Sequence, residues 1–363
     1  MSILLFIIIL SILVFVHELG HFLAAKRAGV RVDEFGIGFP PHLWKKKIGE
    51  TIYSINLFPV GGFVKIFGEN PDEESIVGED SKRSLFHSSK LTQWWIIGAG
   101  IIFNLLFAWL LITSGFVIGL HFSSDDLTYG SRVKNARLLI SSVTPASPAG
   151  DSGLKEGDNI VSLSADGEEL LRPIVSTTQD FIASHSVLTL SFLRGQEMKT
   201  VVVHPVDGLK EGTKAIGVSL DMVGTLKLPI HEALYAGTAM TISIIKSTIV
   251  GLLGFFKNIF TGNAGLSDIS GPVGIVGVVR DASSLGFLNL ISLTALISIN
   301  LAVINVFPFP ALDGGRLLFV LIETIKQSPL RPSLVNTLNG AGFALLILLM
   351  VVVTYHDIIM IVH

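Results

Sequence analysis

Apolar and polar positions sort the 363-residue chain into four long apolar runs separated by mixed segments. Residues 3–25, 96–120, 285–306 and 338–359 each approach or exceed the ~20 residues a helix needs to cross a bilayer core. After the first run, residues 51–57 alternate weakly like a strand, and 58–66 continue as a second apolar stretch around Pro59, Gly61 and Gly62. This predicts a β-hairpin at about 50–68. Such backbone is tolerated at membrane depth only where it is buried in protein or lines a wet cavity, so a re-entrant hairpin competes with an amphipathic loop on the membrane surface. The alternation favours the hairpin. Residues 121–224 are soluble in composition, with β-rich runs at 138–143, 187–193 and 200–203 and an edge strand expected at 214–220. Residues 229–260 are apolar but carry His231, Glu232, Lys246 and Lys257. A lone crossing there would reverse the next span, so one or two amphipathic helices are expected on the outer surface or against the bundle, followed by a breaker-rich connector at 265–277. The expected architecture is a polytopic α-helical membrane protein of about four transmembrane helices. Residues 1–120 and 284–363 form its membrane domain, 121–224 an inserted mostly-β domain and 225–283 the amphipathic helices and connector.

Composition agrees with a membrane protein: half the residues are hydrophobic and 15% charged, and the mean hydropathy is +0.65. A net charge of −3, without a basic stripe interleaved with aromatics, argues against a nucleic-acid partner. The lack of cysteine removes disulfides, thiolate zinc ligands and a cysteine nucleophile, leaving histidine and carboxylate as metal ligands. Lys26, Arg27 and Arg31 directly follow the first run, with Lys45, Lys46 and Lys47 a little later, so this end should face the cytoplasm. By parity, residues 121–224 then lie outside. No Lys or Arg precedes the first run and no small-residue cleavage site follows it, so it is read as a retained helix.

Candidate chemistry is concentrated in the first run. His17-Glu18-Leu19-Gly20-His21 is an H-E-x-x-H motif. Histidines four residues apart on a helix share a face and can grip one Zn²⁺, with Glu18 as general base. Ionisable groups at membrane depth are costly unless they are used, which weighs against coincidence. A catalytic zinc needs a third protein ligand. Asp313, after Asn305-Val306-Phe307-Pro308-Phe309-Pro310-Ala311-Leu312, stands at the matching membrane end. Alone, Asp313-Gly314-Gly315 would read as an ordinary turn whose glycines relax the backbone. The rival pair His356-Asp357 falls at the far end of the last run. Gly98, Gly100 and Asn104 allow close helix contact, with Asn104 as packing glue.

The paired H-E-x-x-H and N-x-x-P-x-P-x-L-D-G-G motifs resemble the site-2 protease family of intramembrane zinc metalloproteases, most closely its bacterial RseP-type members. Phe63-Val64-Lys65, Ser270-Gly271-Pro272 and Ser298-Ile299-Asn300-Leu301 extend the likeness nearly end to end. Ser147-Pro148-Ala149, with Gly153-Leu154, Gly157-Asp158 and Ile160, looks like the core of a bacterial PDZ domain, the other reading being a β spacer. The resemblance implies one Zn²⁺ per chain on His17, His21 and Asp313, water activation by Glu18, and a four-helix membrane domain. It further implies that Asn305, Asn300 and the hairpin residues Gly61, Gly62, Phe63 and Val64 hold unwound substrate backbone. Implied substrates are single-pass membrane proteins such as anti-sigma factors and signal-peptide remnants, cut in the bacterial cytoplasmic (inner) membrane with the PDZ domain outside. Two features depart from relatives: one PDZ core in place of two, and Ile101 where a proline is common. A non-catalytic PDZ-bearing adaptor with a vestigial zinc site is the competing class, and an intact Glu18 argues against it. A metal-permeation protein would need a ladder of further intramembrane ligands.

Overall fold

The computed structural model describes residues 2–70, 73–126, 128–195, 197–210, 213–262 and 271–362. In chain order the first elements are α1 (Ser2–Arg27), β1 (Val32–Ile48), β2 (Thr51–Ile66), α2 (Glu73–Val77) and α3 (Lys90–Ile118). A β-rich stretch follows with β3 (Leu120–Ser123), β4 (Lys134–Val143), α4 (Pro148–Asp151), β5 (Asn159–Ala165), β6 (Glu168–Leu171) and α5 (Val175–Ser184). It continues through β7 (Leu188–Arg194), β8 (Glu197–Val203), β9 (Val206–Lys210), β10 (Thr213–Ala215) and β11 (Val218–Leu226). The chain closes with α6 (Ile230–Phe260), α7 (Pro272–Ser284), α8 (Phe287–Val306), α9 (Asp313–Lys326) and α10 (Pro332–Val362). Two compact units result: Met1–Thr113 with Leu234–His363, and Ser114–Ala233.

Among the described residues, α1, α3, α6, α8 and α10 are long and apolar enough to cross a membrane. Their outward faces expose Leu4, Leu106, Leu110 and Leu348, as lipid-facing helices do and soluble ones rarely do. Helix α6 raises the number of such helices from the expected four to five, and of the one or two helices expected at 229–260 it is the single one. It is one 31-residue helix, with Glu232 in its first turn and Lys257 in its last, so the charges that made it look amphipathic sit mostly at its ends. It packs along α8: Thr248 Oγ1 donates to Asn300 Oδ1 at 2.9 Å and Phe256 stacks on Phe307. The two helices run parallel, since both contacts advance in the same direction along both chains.

Close approach of α1 and α3 depends on Gly20, where a Cβ would meet the Ala99 carbonyl carbon at 2.9 Å. Further toward the start of α1, Ile9 and Leu13 are buried with Val279 of α7 and lean on Phe107 of α3 and on Leu290, Leu293 and Ile297 of α8. Residues up to 270 of the expected connector lie outside the described residues, but from Pro272 it is helical. Proline suits the first helical position because the missing N–H has no intrahelical partner there.

Strands β1 and β2 form an antiparallel hairpin whose turn is Gly49-Glu50, not the expected Pro59–Gly62 stretch, which lies within β2. Glu34, Phe35, Gly36 and Ile37 each register with two places on β2, Phe35 for instance with both Tyr53 and Val64. The first half of β1 is thus flanked by β2 on both sides, and the 62–66 limb of β2 becomes an edge. Polar pairs stitch this curled sheet: Ser54 Oγ donates to Glu34 Oε1 at 2.5 Å and Asn56 Nδ2 to the Gly38 carbonyl at 3.0 Å.

In the β unit the sheet order is β3-β11-β4-β5-β7-β8, with β6 beside β5. Its core is built on Leu138, Ile140, Leu163, Leu188 and Leu190. The expected edge strand at 214–220 is divided, because Gly217 adopts φ +81° between β10 and β11. Ser147 caps α4 by accepting from the Gly150 N–H, and Asp158 accepts two 2.7 Å bonds from Arg194, raising that guanidinium's pKa.

Candidate metal centre

His17 and His21 are buried on the face of α1 that meets α3. Their Nε2 atoms are 3.2 Å apart, and Asp313 Oδ2 stands 3.0 Å from His17 Nε2 and 3.3 Å from His21 Nε2. Ligands at ~2.0–2.1 Å around a tetrahedral zinc sit roughly 3.3 Å from one another. The triangle therefore has the dimensions of one face of that tetrahedron. Neither approach to Asp313 Oδ2 has hydrogen-bond geometry, so this buried oxygen is left without a donor. One nitrogen/oxygen cage of two imidazoles and a carboxylate suits zinc.

Two sets of glycines make the cage possible. A Cβ on Gly100 of α3 would fall 2.8 Å from both His17 Cε1 and His21 Cε1. At the start of α9, a Cβ on Gly314 would meet the Val306 carbonyl carbon at 2.5 Å, and one on Gly315 the Phe309 carbonyl carbon at 2.7 Å. These two glycines are helical, with no positive φ, so they act by clearance and not by relaxing the backbone as their sequence suggests; the positive φ belongs to Ala311, at 77°. Clearance lets α9 fold back against the end of α8 and delivers Asp313 to α1.

Glu18 is not among the three converging ligand positions. Its Oε2 accepts a 3.0 Å bond from the Val64 backbone N–H, which turns to Glu18 and not into the sheet. The hairpin is fastened nearby by Ser11 Oγ donating to the Pro59 carbonyl and by the Arg316–Glu69 ion pair. Of the residues expected to hold substrate, Gly62, with Gly61 against Val14, lines this limb of β2, where a Gly62 Cβ would be 4.0 Å from Glu18 Cγ. Phe63 stacks with Phe39, and Asn305 is buried in the last turn of α8. Asn300 is held by Thr248 of α6 and is not brought to the cage.

Asp357, the rival carboxylate, has a different task. It accepts from the N–H groups of Gly271 at 3.2 Å and Gly274 at 2.8 Å, capping α7. At the base of the hairpin, Glu50 bonds Arg83 Nη2 at 2.9 Å and Lys26 Nζ at 2.7 Å; these cations, Arg83 foremost, hold its carboxyl down at about 2. Asn104, which sequence reasoning left as packing glue, proves to face His17 at 3.2 Å. The signal available was its four-residue spacing from Gly100.

Glu18 stands beside the cage and outside it, and fold and site together define a metalloprotease of the membrane. Comparison with known families makes this specific. A model of peptidase family M50 matches residues 5–349, and the chain belongs to this site-2 protease family. It is 30% identical over 429 residues to the regulator of sigma-W protease RasP of Bacillus subtilis (strain 168), covering 97% of both chains. It is 28% identical over 429 residues to the zinc metalloprotease RasP of Bacillus licheniformis, again covering 97% of both. A relative in Clostridium perfringens (strain 13 / Type A), whose name also carries the words zinc metalloprotease, is 35% identical over 355 residues, 96% of each chain.

Proposed function

We propose that this zinc metalloprotease hydrolyses peptide bonds in or near the membrane-spanning segments of single-pass membrane proteins, with His17, His21 and Asp313 holding one Zn²⁺ and Glu18 as general base. The convergence of the three ligand atoms beside Glu18 carries this reading. When bound, zinc lowers the pKa of its water to about 7 and polarises the scissile carbonyl. Glu18 takes the proton from that water and passes it to the leaving amine. A helical substrate hides its carbonyls in its own hydrogen bonds and must unwind. The edge of β2 at Gly61, Gly62, Phe63 and Val64 can pair with the unwound backbone, satisfying the groups set free. Since Val64 N–H touches Glu18, a strand added there runs past the base. Asn305 completes the grip, whereas Asn300 reaches substrate only by exchanging its bond to Thr248.

Likeness to the sigma-W regulator RasP supports membrane-anchored anti-sigma factors as substrates, with signal-peptide remnants as a second group. The β unit is proposed to be a PDZ domain outside a bacterial cytoplasmic membrane, on its Ser147-Pro148-Ala149 and Gly157-Asp158 motif and on the lysines and arginines that follow α1. The test is cleavage of a single-pass substrate by purified protein in liposomes. Parent protein should cut, a zinc chelator should stop it, and added zinc should restore it. Glu18→Gln should keep bound zinc and slow hydrolysis by ~10²–10⁴-fold. Cleavage that survives chelation, or a Glu18→Gln variant as fast as the parent, refutes the mechanism.

A further inference from the structure

We propose that Asn104 is a positioning residue: its side-chain oxygen accepts the Nδ1–H of His17 and so holds that imidazole in the tautomer that presents Nε2 to the metal. This rests on the ligand assignment above. Both histidines aim Nε2 at Asp313 Oδ2. A ligating Nε2 must offer its lone pair, so the single proton of the neutral ring has to sit on Nδ1 and needs an acceptor. For His21 that acceptor is in place, since Nδ1 is 2.8 Å from the backbone carbonyl of Ile96. A carbonyl cannot donate, so it fixes the tautomer unambiguously.

For His17 the corresponding partner is Asn104, fully buried on α3. The atom drawn 3.2 Å from His17 Nδ1 is the amide nitrogen, while Asn104 Oδ1 is buried without any partner. An NH₂ group and an Nδ1–H are both donors and cannot bond each other. Turning the amide by half a turn about its last bond resolves both defects, because Oδ1 then accepts from His17 Nδ1–H. The backbone is undisturbed by this, since the Asn104 carbonyl is separately engaged by Ser298 Oγ at 2.8 Å. Each metal-binding imidazole is then backed by an oxygen of α3, one from the main chain and one from a side chain four residues away on the same face from Gly100. Such outer partners typically carry ~10–100-fold in metal affinity.

The experiment measures zinc affinity by chelator competition in purified full-length protein, with zinc alone as the probe. Parent and Asp313→Ala come first. Zinc bound by the parent and lost in Asp313→Ala upholds the ligand assignment independently of Asn104. Asn104→Leu, close in size but with no acceptor, should then weaken zinc by ~10–100-fold. Asn104→Asp, which can only accept, should stay within a few-fold of the parent. Packing alone would make both variants equally weak, and that result, or an Asn104→Leu variant at parent affinity, overturns the proposal. A measurement on the parent needs no variant to fold. In zinc-loaded protein labelled at histidine and asparagine, NMR should place the proton on His17 Nδ1 with no short contact to the Asn104 NH₂ protons. A short contact there overturns it.

Discussion

Gly98 and Gly100 lie two residues apart in α3 and should answer the same substitution in opposite ways. A Cβ at Gly100 would sit 2.8 Å from His17 Cε1 and His21 Cε1 and closer still to His21 Nε2, whereas carbon atoms rest about 3.5–4.0 Å apart. The imidazoles must then retreat by roughly 0.7–1.2 Å, or α3 must back away. Zinc ligands tolerate only about 0.2 Å in bond length and a site about 0.5 Å in placement, so neither response leaves the cage intact. Overpacking costs about 1–3 kcal/mol. Taken up by the zinc-loaded site, that is roughly a 5- to 150-fold loss of affinity at 1.4 kcal/mol per tenfold. At Gly98 an added Cβ meets nothing within 4 Å, so Gly98→Ala should stabilise the helix by about 0.5–1 kcal/mol. Zinc affinity by chelator competition and thermal unfolding, measured on both variants in detergent, decide the matter. Parent-like zinc binding by Gly100→Ala would refute the clearance argument, and a Gly98→Ala variant as damaged as Gly100→Ala would show that α3 simply rejects alanine.

Asp313→Ala should lose zinc by more than the ~10–100-fold typical of outer partners, because a ligand itself is gone; parent stoichiometry and affinity would contradict it. Asp357→Ala should destabilise the start of α7 by ~0.5–2 kcal/mol, as loss of a cap does, while zinc affinity stays at the parent value. Hydrogen exchange at Gly271–Ile275 reads the first effect, and a loss of zinc would return Asp357 to the ligand set. Glu50, held at about 2 against an ordinary 4.5 by Arg83 and Lys26, has a lowered pKa in the folded protein. Its contribution is therefore complete above about pH 4.5 and is lost as pH falls toward 2. Protection of the Gly49-Glu50 turn should decline across that window in the parent and be flat in Glu50→Gln.

The apolar runs announced α1, α3, α8 and α10 because a span is a local property of some twenty residues, and only their ends were misjudged, where polar flanks continue the helix. The meeting of His17 and His21 was equally legible, since residues four apart on one helix share a face. Asp313 could be chosen from sequence by its membrane end, yet the reason Gly314 and Gly315 follow it could not, because the backbone they clear belongs to the preceding helix's end. Strand β1 was hidden, because what holds Glu34 to Ile37 as strand is pairing with β2 on both sides, which no local pattern announces. That α6 is long and apolar enough to cross was set aside on parity, an argument that could not see α6 running parallel to α8 and packed along it. Asp357 as a cap was beyond reach, its partner Gly271 being 86 residues away.

The cage draws on residues nearly 300 positions apart in the chain. Histidines 17 and 21 leave the ribosome early, and Asp313 follows after about 300 further residues, which at ~5–20 residues per second is on the order of 15–60 s later. Throughout that interval α1 carries a complete H-E-x-x-H face and its proton acceptor, but nothing closes the third corner. A chain still in synthesis, or one broken off before α9, thus lacks the proposed third ligand. On the proposed ligand assignment, nothing can be cut before α9 has been made and has folded back onto α1.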